Sequence, residues 1–375
     1  MIPTITTLPL LQLASGDRLS LQVYKFVGAK PGKKVYLQSN LHGSELTGNA
    51  VIHQLMSWFA TLADHQLAGE IWLVPACNPI GTNQRSHHFS PGRFNPYDGE
   101  NWNRIFWEYT PDKEALQQFV QSHGESDRLT LEHQYRQRIQ SGFAELAEQI
   151  AAPSSQPFSN QYRVLLQSLC LDANYVIDLH TSGDQGLTYL YYFRDRQTSA
   201  SLFMLPIGIL LDEYVGGAFD ESFMKPWLAL EDCCAELGRK IQFDVEAWTL
   251  ELGSAMQIDP TTVDRGVQAV KNYLIQKGIL RVPAEPMPMP SIAAMKLASS
   301  SHMKRYYAPT GGMIQSRVAL GKTVEAGQPL YQLLSFNKEG QLPTVLEVNA
   351  EQAGIVYDVS INHAVNQGEY VLGIL

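Results

Sequence analysis

Residues 175–183 read YVIDLHTSG. An apolar run leads into Asp178-Leu179-His180, and small residues suited to a turn follow. Tyr175–Leu179 reads as a β-strand, whose alternation places Asp178 and His180 on one face. In an α/β sheet the carboxyl ends of strands open on the crevice where ligands bind. His180 is therefore a candidate metal ligand. Asp178, two residues back, is a candidate acceptor that orients an imidazole from behind.

The surrounding chain repeats this kind of unit. Further strands are predicted at Val35–Ser39, Glu70–Ala76, Thr188–Phe193, Pro206–Leu211 and Trp248–Leu252. Ile52, Leu55, Met56, Phe59, Leu62 and Ala63 recur at steps of three and four, which makes one helical face. Val263, Val267, Val270, Leu274 and Ile275 make another, ending at Gly278. Strands alternating with helices predict an α/β fold with a mixed central sheet flanked by helices. Residues 107–165 differ: Glu, Gln, Arg and Asp surround scattered Leu, Phe and Ala. One or two amphipathic helices with a loop are expected there, as either a solvated excursion or a cap over the site.

Prolines 283, 286, 288 and 290 suggest a semi-extended connector. Beyond it the β-runs are short and repeat. Gly312-Met-Ile with Val324 and Gly327 is echoed by Gly354-Ile-Val with Val365 and Gly368. Two hairpin-like copies predict a small pseudo-symmetric all-β unit, similar to the lipoyl/biotinyl-type barrel. The expected division is a hydrolase unit over 1–285, carrying the 107–165 insertion, and a β-unit over 286–375. Lys338 lies where those carriers hold their modified lysine, but the flanking acidic or methionine residues are missing, so no modification is expected.

Composition narrows the function. Of 375 residues, 45% are hydrophobic and 17% charged, which is ample for a buried core. The net charge of −9, a pI near 5.6 and the absence of a basic run argue against nucleic acid and anionic membranes. No apolar stretch reaches spanning length, and the first residues lack the basic start of a secretory signal. Cys77, Cys170, Cys233 and Cys234 form no CxxC pair. Reduced cytosolic thiols, hence a cytoplasmic protein, are the simpler expectation.

Four further segments carry chemistry. In LQSNLHGSEL (37–46), His42 and Glu45 stand three apart after a strand and at a helix entrance, where both can reach one cation. The pair alone is weak, since about half of one such match is expected by chance; Asn40 and Gly43 suit a tight turn beside it. Two His and one Glu leave a position open for water, the ligand set of a catalytic zinc. In TLELG (249–253), Glu251 sits between leucines. It is either a strand-end carboxylate paired with an arginine or a general base of raised pKa. Residues 76–104 form a long polar loop, and such loops are usually functional. Arg93 and Arg104 can grip carboxylates or stabilise an oxyanion there, or serve loop-internal bonds. His53, His65, His87, His88, His123, His133, His302 and His363 are expected to be surface or structural.

HGSE, NPIG, the Arg93…Asn103-Arg104 spacing, DLHTSG and TLELG occur in an order that resembles the succinylglutamate desuccinylase/aspartoacylase family. The resemblance covers roughly residues 30–280, and the C-terminal β-unit also suits it. It implies a carboxypeptidase-like α/β fold and a zinc-dependent deacylase. By that similarity His42, Glu45 and His180 hold one zinc per chain, and Glu251 is the catalytic carboxylate. Arg93 lies near the scissile carbonyl, while Asn103 and Arg104 bind a substrate carboxylate. Two positions depart from the family. Trp102 stands where a leucine is usual. Ile241 stands near where aspartoacylase proper has a further substrate-binding arginine, which argues against N-acetylaspartate as substrate. The expected activity is hydrolysis of an amide in a small N-acyl amino acid. A metallocarboxypeptidase and a non-catalytic binding protein on the same fold are the alternatives. No heptad pattern indicates an assembly state.

Overall fold

The computed structural model describes residues 1–87, 89, 91–151, 157–282 and 295–375. The four connector prolines, His88 and the expected boundary at 285/286 lie outside the described residues. The chain opens with strands β1 (Thr4–Gln12), β2 (Arg18–Val27) and β3 (Lys30–Ser39), then helix α1 (Thr47–Thr61), β4 (Ala68–Val74) and the short α2 (Pro79–Asn83). Helices α3 (Lys113–Ser122), α4 (Arg128–Ala151) and α5 (Phe158–Ser168) follow. Next come β5 (Tyr175–Ser182), β6 (Gln185–Gly186), β7 (Thr188–Tyr192), α6 (Gln197–Ser201), β8 (Ile207–Leu210), α7 (Phe219–Glu236), β9 (Glu246–Ser254), α8 (Pro260–Gln276) and β10 (Lys296–Ser299).

Nine strands form one mixed sheet in the order β1-β2-β4-β3-β5-β9-β7-β8-β10. β3, β4, β5 and β9 run parallel, whereas β7 meets β9 antiparallel. The predicted α/β class holds. Strand alternation decides what each face buries. Ile177, Leu179, Leu250 and Leu252 point toward α1 and α8, against Val51, Leu55, Phe59, Val267 and Val270. Val176 and Ala247 point the other way, toward α7 and the helices before β5.

The 107–165 segment contains three helices rather than one or two, and they extend to Ser168. It is neither a solvated excursion nor a loose cap. Leu131, Tyr135 and Ile139 of α4 and Tyr162 and Leu166 of α5 are buried in the same core as Trp227 of α7 and Tyr36 of β3. The Tyr135 hydroxyl donates to the Pro226 carbonyl at 3.1 Å and Tyr162 to that of Cys77 at 2.9 Å. The β1–β2 hairpin and α7 were not apparent from residue patterning. All four cysteines are free and buried.

The remaining strands are β11 (Lys304–Tyr307), β12 (Gly312–Gln315), β13 (Thr323–Val324), β14 (Pro329–Ser335), β15 (Thr344–Asn349), β16 (Gly354–Val359), β17 (Ala364–Val365) and β18 (Tyr370–Ile374). They enclose their own core around Leu330, Leu333, Val356 and Leu372. The repeat is visible as reciprocal pairing: β12 of the first copy pairs β17, and β16 of the second pairs β13. Gly327 and Gly368 both take positive φ, 82° and 83°. Lys338 is exposed in the β14–β15 connection. Two strands cross between the units. β10 pairs β8 and completes the large sheet, although its residues follow the expected boundary. β6 leaves the end of β5 to pair β16, Asp358 opposite Gly186. Among the described residues, no helix is long and apolar enough to cross a membrane.

Candidate metal centre and active site

The turn after β3 is built to bring His42 and Glu45 together. Asn40 takes a left-handed φ of 66°. Its Nδ2 donates to the carbonyls of His42, Gly43 and Glu45 at 3.1–3.3 Å. Gly43 has no room for a side chain, since a Cβ there would lie 2.0 Å from the Gly81 carbonyl oxygen. The NPIG segment is thus a buttress: Asn78 caps α2 through Gly81 N–H and donates to the Leu41 carbonyl at 2.8 Å.

Glu45 bridges two imidazoles. Its Oε1 lies 2.8 Å from His42 Nδ1 and its Oε2 2.8 Å from His180 Nδ1. Thr181 N–H also donates to Oε2 at 3.2 Å. All three side chains are buried, and their ligand atoms lie within 4.8 Å of one another. Burial opposes charge on Glu45, yet the two imidazoles hold its carboxyl well below the usual carboxylate range.

The far nitrogens settle the tautomers. Asn101 Oδ1 accepts from Asn103 N–H at 2.8 Å, which orients its amide, and lies 2.9 Å from His42 Nε2. His42 Nε2 must therefore carry a proton. Burial pushes the His42 pKa down, against the pull of Glu45, and its Nδ1 faces a carboxylate oxygen. Two acceptors at 2.8 Å require a proton or a cation between them. His180 is arranged alike: its Nε2 lies 2.9 Å from Asp178 Oδ2. Burial opposes its charge, but Asp178 and Glu45 raise the His180 pKa well above normal. Where a cation binds, it displaces that proton. Two imidazole nitrogens and one carboxylate, each imidazole backed by an oxygen acceptor, fit a divalent ion such as zinc.

The other predicted residues fall at graded distances. Arg93 Nη1 lies 3.4 Å from both His42 Nδ1 and Glu45 Oε1. Glu251 stands opposite His180 in the β5–β9 register and opposite Tyr189 in β7. Its Oε2 is buried with no hydrogen-bond partner among the described residues. Burial pushes its carboxyl up to about 8, against the pull of His180. The arginine-paired alternative for Glu251 is not realised among the described residues, where no salt bridge includes it. Asn103 and Arg104 are outside the cluster proper. Asn103 Oδ1 accepts from Phe219 N–H, at the start of α7, at 2.8 Å. Arg104 is exposed, with Nη1 bonded to the Asn103 carbonyl. Trp102 is fully buried edge-on to Tyr162, 5.2 Å between ring centres, and so ties this loop to α5. Ile241 packs on the core.

Three residues escaped residue-by-residue reading. Asn101 sits inside the long polar loop, where five asparagines look alike. Asp220 is buried at the start of α7 and accepts from Thr249 Oγ1 at 2.7 Å, its pKa raised by burial. Asp358 comes from the C-terminal unit, bonded to Ser182 Oγ.

Residues 31–276 match the family model described as the succinylglutamate desuccinylase/aspartoacylase catalytic domain. No curated protein matches the chain. Among solved structures, a protein of this family from Shewanella amazonensis SB2B is 31% identical; the match covers 99% of this chain and 98% of that one, with a TM-score of 0.86. Another, from Shewanella frigidimarina NCIMB 400, is 27% identical over 100% and 97%, with a TM-score of 0.88. The fold extends to the product-bound ectoine utilization protein EutE from Ruegeria pomeroyi, 17% identical over 100% and 95%, with a TM-score of 0.65. A match across well over half of the chain, and a relative 31% identical over 99% of it, show that this chain belongs to the succinylglutamate desuccinylase/aspartoacylase family.

Proposed function

We propose that the protein is a zinc-dependent deacylase, with one zinc per chain, that hydrolyses the amide of a small N-acyl amino acid bearing a carboxylate. The observation that carries this reading is the bridging of His42 and His180 by Glu45 with both imidazole Nδ1 atoms turned inward. His42, Glu45 and His180 would hold the ion. When bound, a divalent ion polarises the acyl carbonyl and lowers the pKa of water.

The chain's own groups do the rest. Asp178 and Asn101 hold the two imidazoles in the ligating tautomer. Glu251, its Oε2 buried without a hydrogen-bond partner among the described residues and opposite His180, takes a proton from the attacking water and delivers it to the leaving nitrogen. Arg93 Nη1 stabilises the developing oxyanion. Arg104 supplies charge for the substrate carboxylate. Asn103 assists through Nδ2, because its oxygen is already engaged by Phe219 N–H. The reaction yields a carboxylate and a free amine. Separate cores support a hydrolase unit, expected over 1–285, and a β-unit, expected over 286–375, with Met295 and β10 joining the first; four free cysteines support a cytosolic location.

The test is metal content by plasma mass spectrometry beside turnover of an N-acyl amino acid panel, for wild type and His180→Ala. About one zinc per chain, lost with activity in the variant, is expected. Absence of bound metal after zinc is supplied overturns the reading. Cleavage of peptides alone replaces it with a carboxypeptidase.

A further inference from the structure

The turn that follows the ligand strand is held by the other unit. Ser182 Oγ donates to Asp358 Oδ2. Asp358 lies at a register shift in β16, where Tyr357 falls between the Val356–Ile374 and Asp358–Gly373 pairs; such bulges re-aim side chains. Asp184 Oδ1 accepts from Ile361 N–H at 3.1 Å and from Ser360 Oγ at 3.5 Å. Between these anchors sits Gly183. A Cβ on it would lie 3.3 Å from Arg93 Nη1, the same atom that stands 3.4 Å from His42 and Glu45. The guanidinium is therefore wedged between the ligand cluster and a turn whose place is set by β16. Its side chain is 42% exposed, and among the described residues its hydrogen bonds are those to His42 and Glu45. Asp358 is itself nearly buried, at 9% exposure, and its other oxygen accepts from the Tyr370 hydroxyl at 2.6 Å. A buried carboxylate is costly unless hydrogen-bonded, and here one of its bonds crosses to the catalytic turn.

We propose that Asp358 is a positioning residue: through Ser182 it fixes the 182–184 turn and, with it, the guanidinium of Arg93. The inference rests on the deacylase reading, in which Arg93 meets the oxyanion. The test uses the full-length, zinc-loaded protein and the variants Ser182→Ala, Asp358→Asn, Gly183→Ala and Tyr370→Phe, each alone and with Arg93→Ala. Readouts are kcat and KM on an N-acyl amino acid, zinc content, and affinity for acetate as a probe of Arg93. Ser182→Ala and Asp358→Asn should lower kcat by about 10- to 100-fold, the scale of small misplacements, with KM and zinc content nearly unchanged. Acetate should bind about tenfold more weakly, a decade being about 1.4 kcal/mol. Gly183→Ala should match them, since its methyl displaces Nη1. Tyr370→Phe keeps the link to Ser182 but removes the other hydrogen bond of Asp358, so its loss of kcat should be smaller than that of Ser182→Ala. In the Arg93→Ala background, Ser182→Ala and Asp358→Asn should cost nothing more. Additive losses in that background, or wild-type kcat and acetate affinity in both single variants, overturn the proposal. Ser182→Ala leaves the C-terminal core intact and carries the test if Asp358→Asn does not fold. A wild type that hydrolyses none of the panel defeats the deacylase reading; the same cycle on acetate affinity then decides this one.

Discussion

Glu251→Gln separates two consequences of one buried carboxylate. The side chain keeps its shape, so zinc should remain bound, but the proton acceptor is gone. Turnover should fall by about 10²–10⁴, the range for general acid–base catalysis, or about 3–5 kcal/mol of barrier. The second consequence concerns stability of the metal-free protein. Burial raises the Glu251 pKa from its ordinary 4.5 to about 8, with Glu45 and Asp358 adding to it and His180 and Arg93 opposing it. Tyr189, Tyr191 and Tyr357 also feel its charge. The folded state thus holds a proton that the unfolded state releases near pH 4.5. Stability from this group is fully present below that pH and is lost as pH rises through about 8. At about 1.4 kcal/mol per unit, the loss is on the order of 3–5 kcal/mol. Urea denaturation of chelated protein between pH 5 and 9 reads it as a wild-type decline that Glu251→Gln lacks. Full turnover in the variant would refute the catalytic role. Parallel stability curves would refute the burial argument. The zinc-loaded wild type should also show an acidic limb in its pH–rate profile, at a lower pH than the metal-free carboxyl titrates because a nearby cation favours the carboxylate, and absent from the variant's residual activity.

Three further outcomes follow from the geometry. Asn101→Leu removes the acceptor behind His42 Nε2 and should weaken zinc binding by about 10- to 100-fold, measured by competition with a chelator. Trp102→Ala empties a fully buried site against Tyr162 and should cost about 3–5 kcal/mol in chemical denaturation. Gly43→Ala drives a methyl into the Gly81 carbonyl and should lower zinc content sharply, because it breaks the turn that joins His42 to Glu45.

The residue patterns carried the strand–helix alternation, both ligand segments and Glu251, because each is local. Asp178 and His180 share a strand face by period two, and His42 and Glu45 share a turn. The repeat of Gly312-Met-Ile in Gly354-Ile-Val was legible too, but that its strands pair between the copies, β12 with β17 and β13 with β16, was not. Helix α7 was not legible either. Its buried Asp220, Glu221 and Glu231 blur any apolar stripe, and their partners lie elsewhere in the chain. Thr249 serves Asp220, and Arg196 Nη2 meets Glu231 at 2.6 Å. The role of residues 107–168 as a core layer was hidden likewise, since Tyr135 and Tyr162 find their acceptors at Pro226 and Cys77.

By itself, then, the sequence determined which residue types can ligate, shuttle a proton or bind an anion, and on which local face each lies. Tertiary structure alone decided which of them meet. His180 reaches Glu45 across 135 residues, Asn101 reaches back to His42, and Asp358 crosses from the second unit to Ser182. Such contacts have no period in the chain. They arise when β3, β5 and β9 align in one sheet and the loops at their carboxyl ends are packed against it.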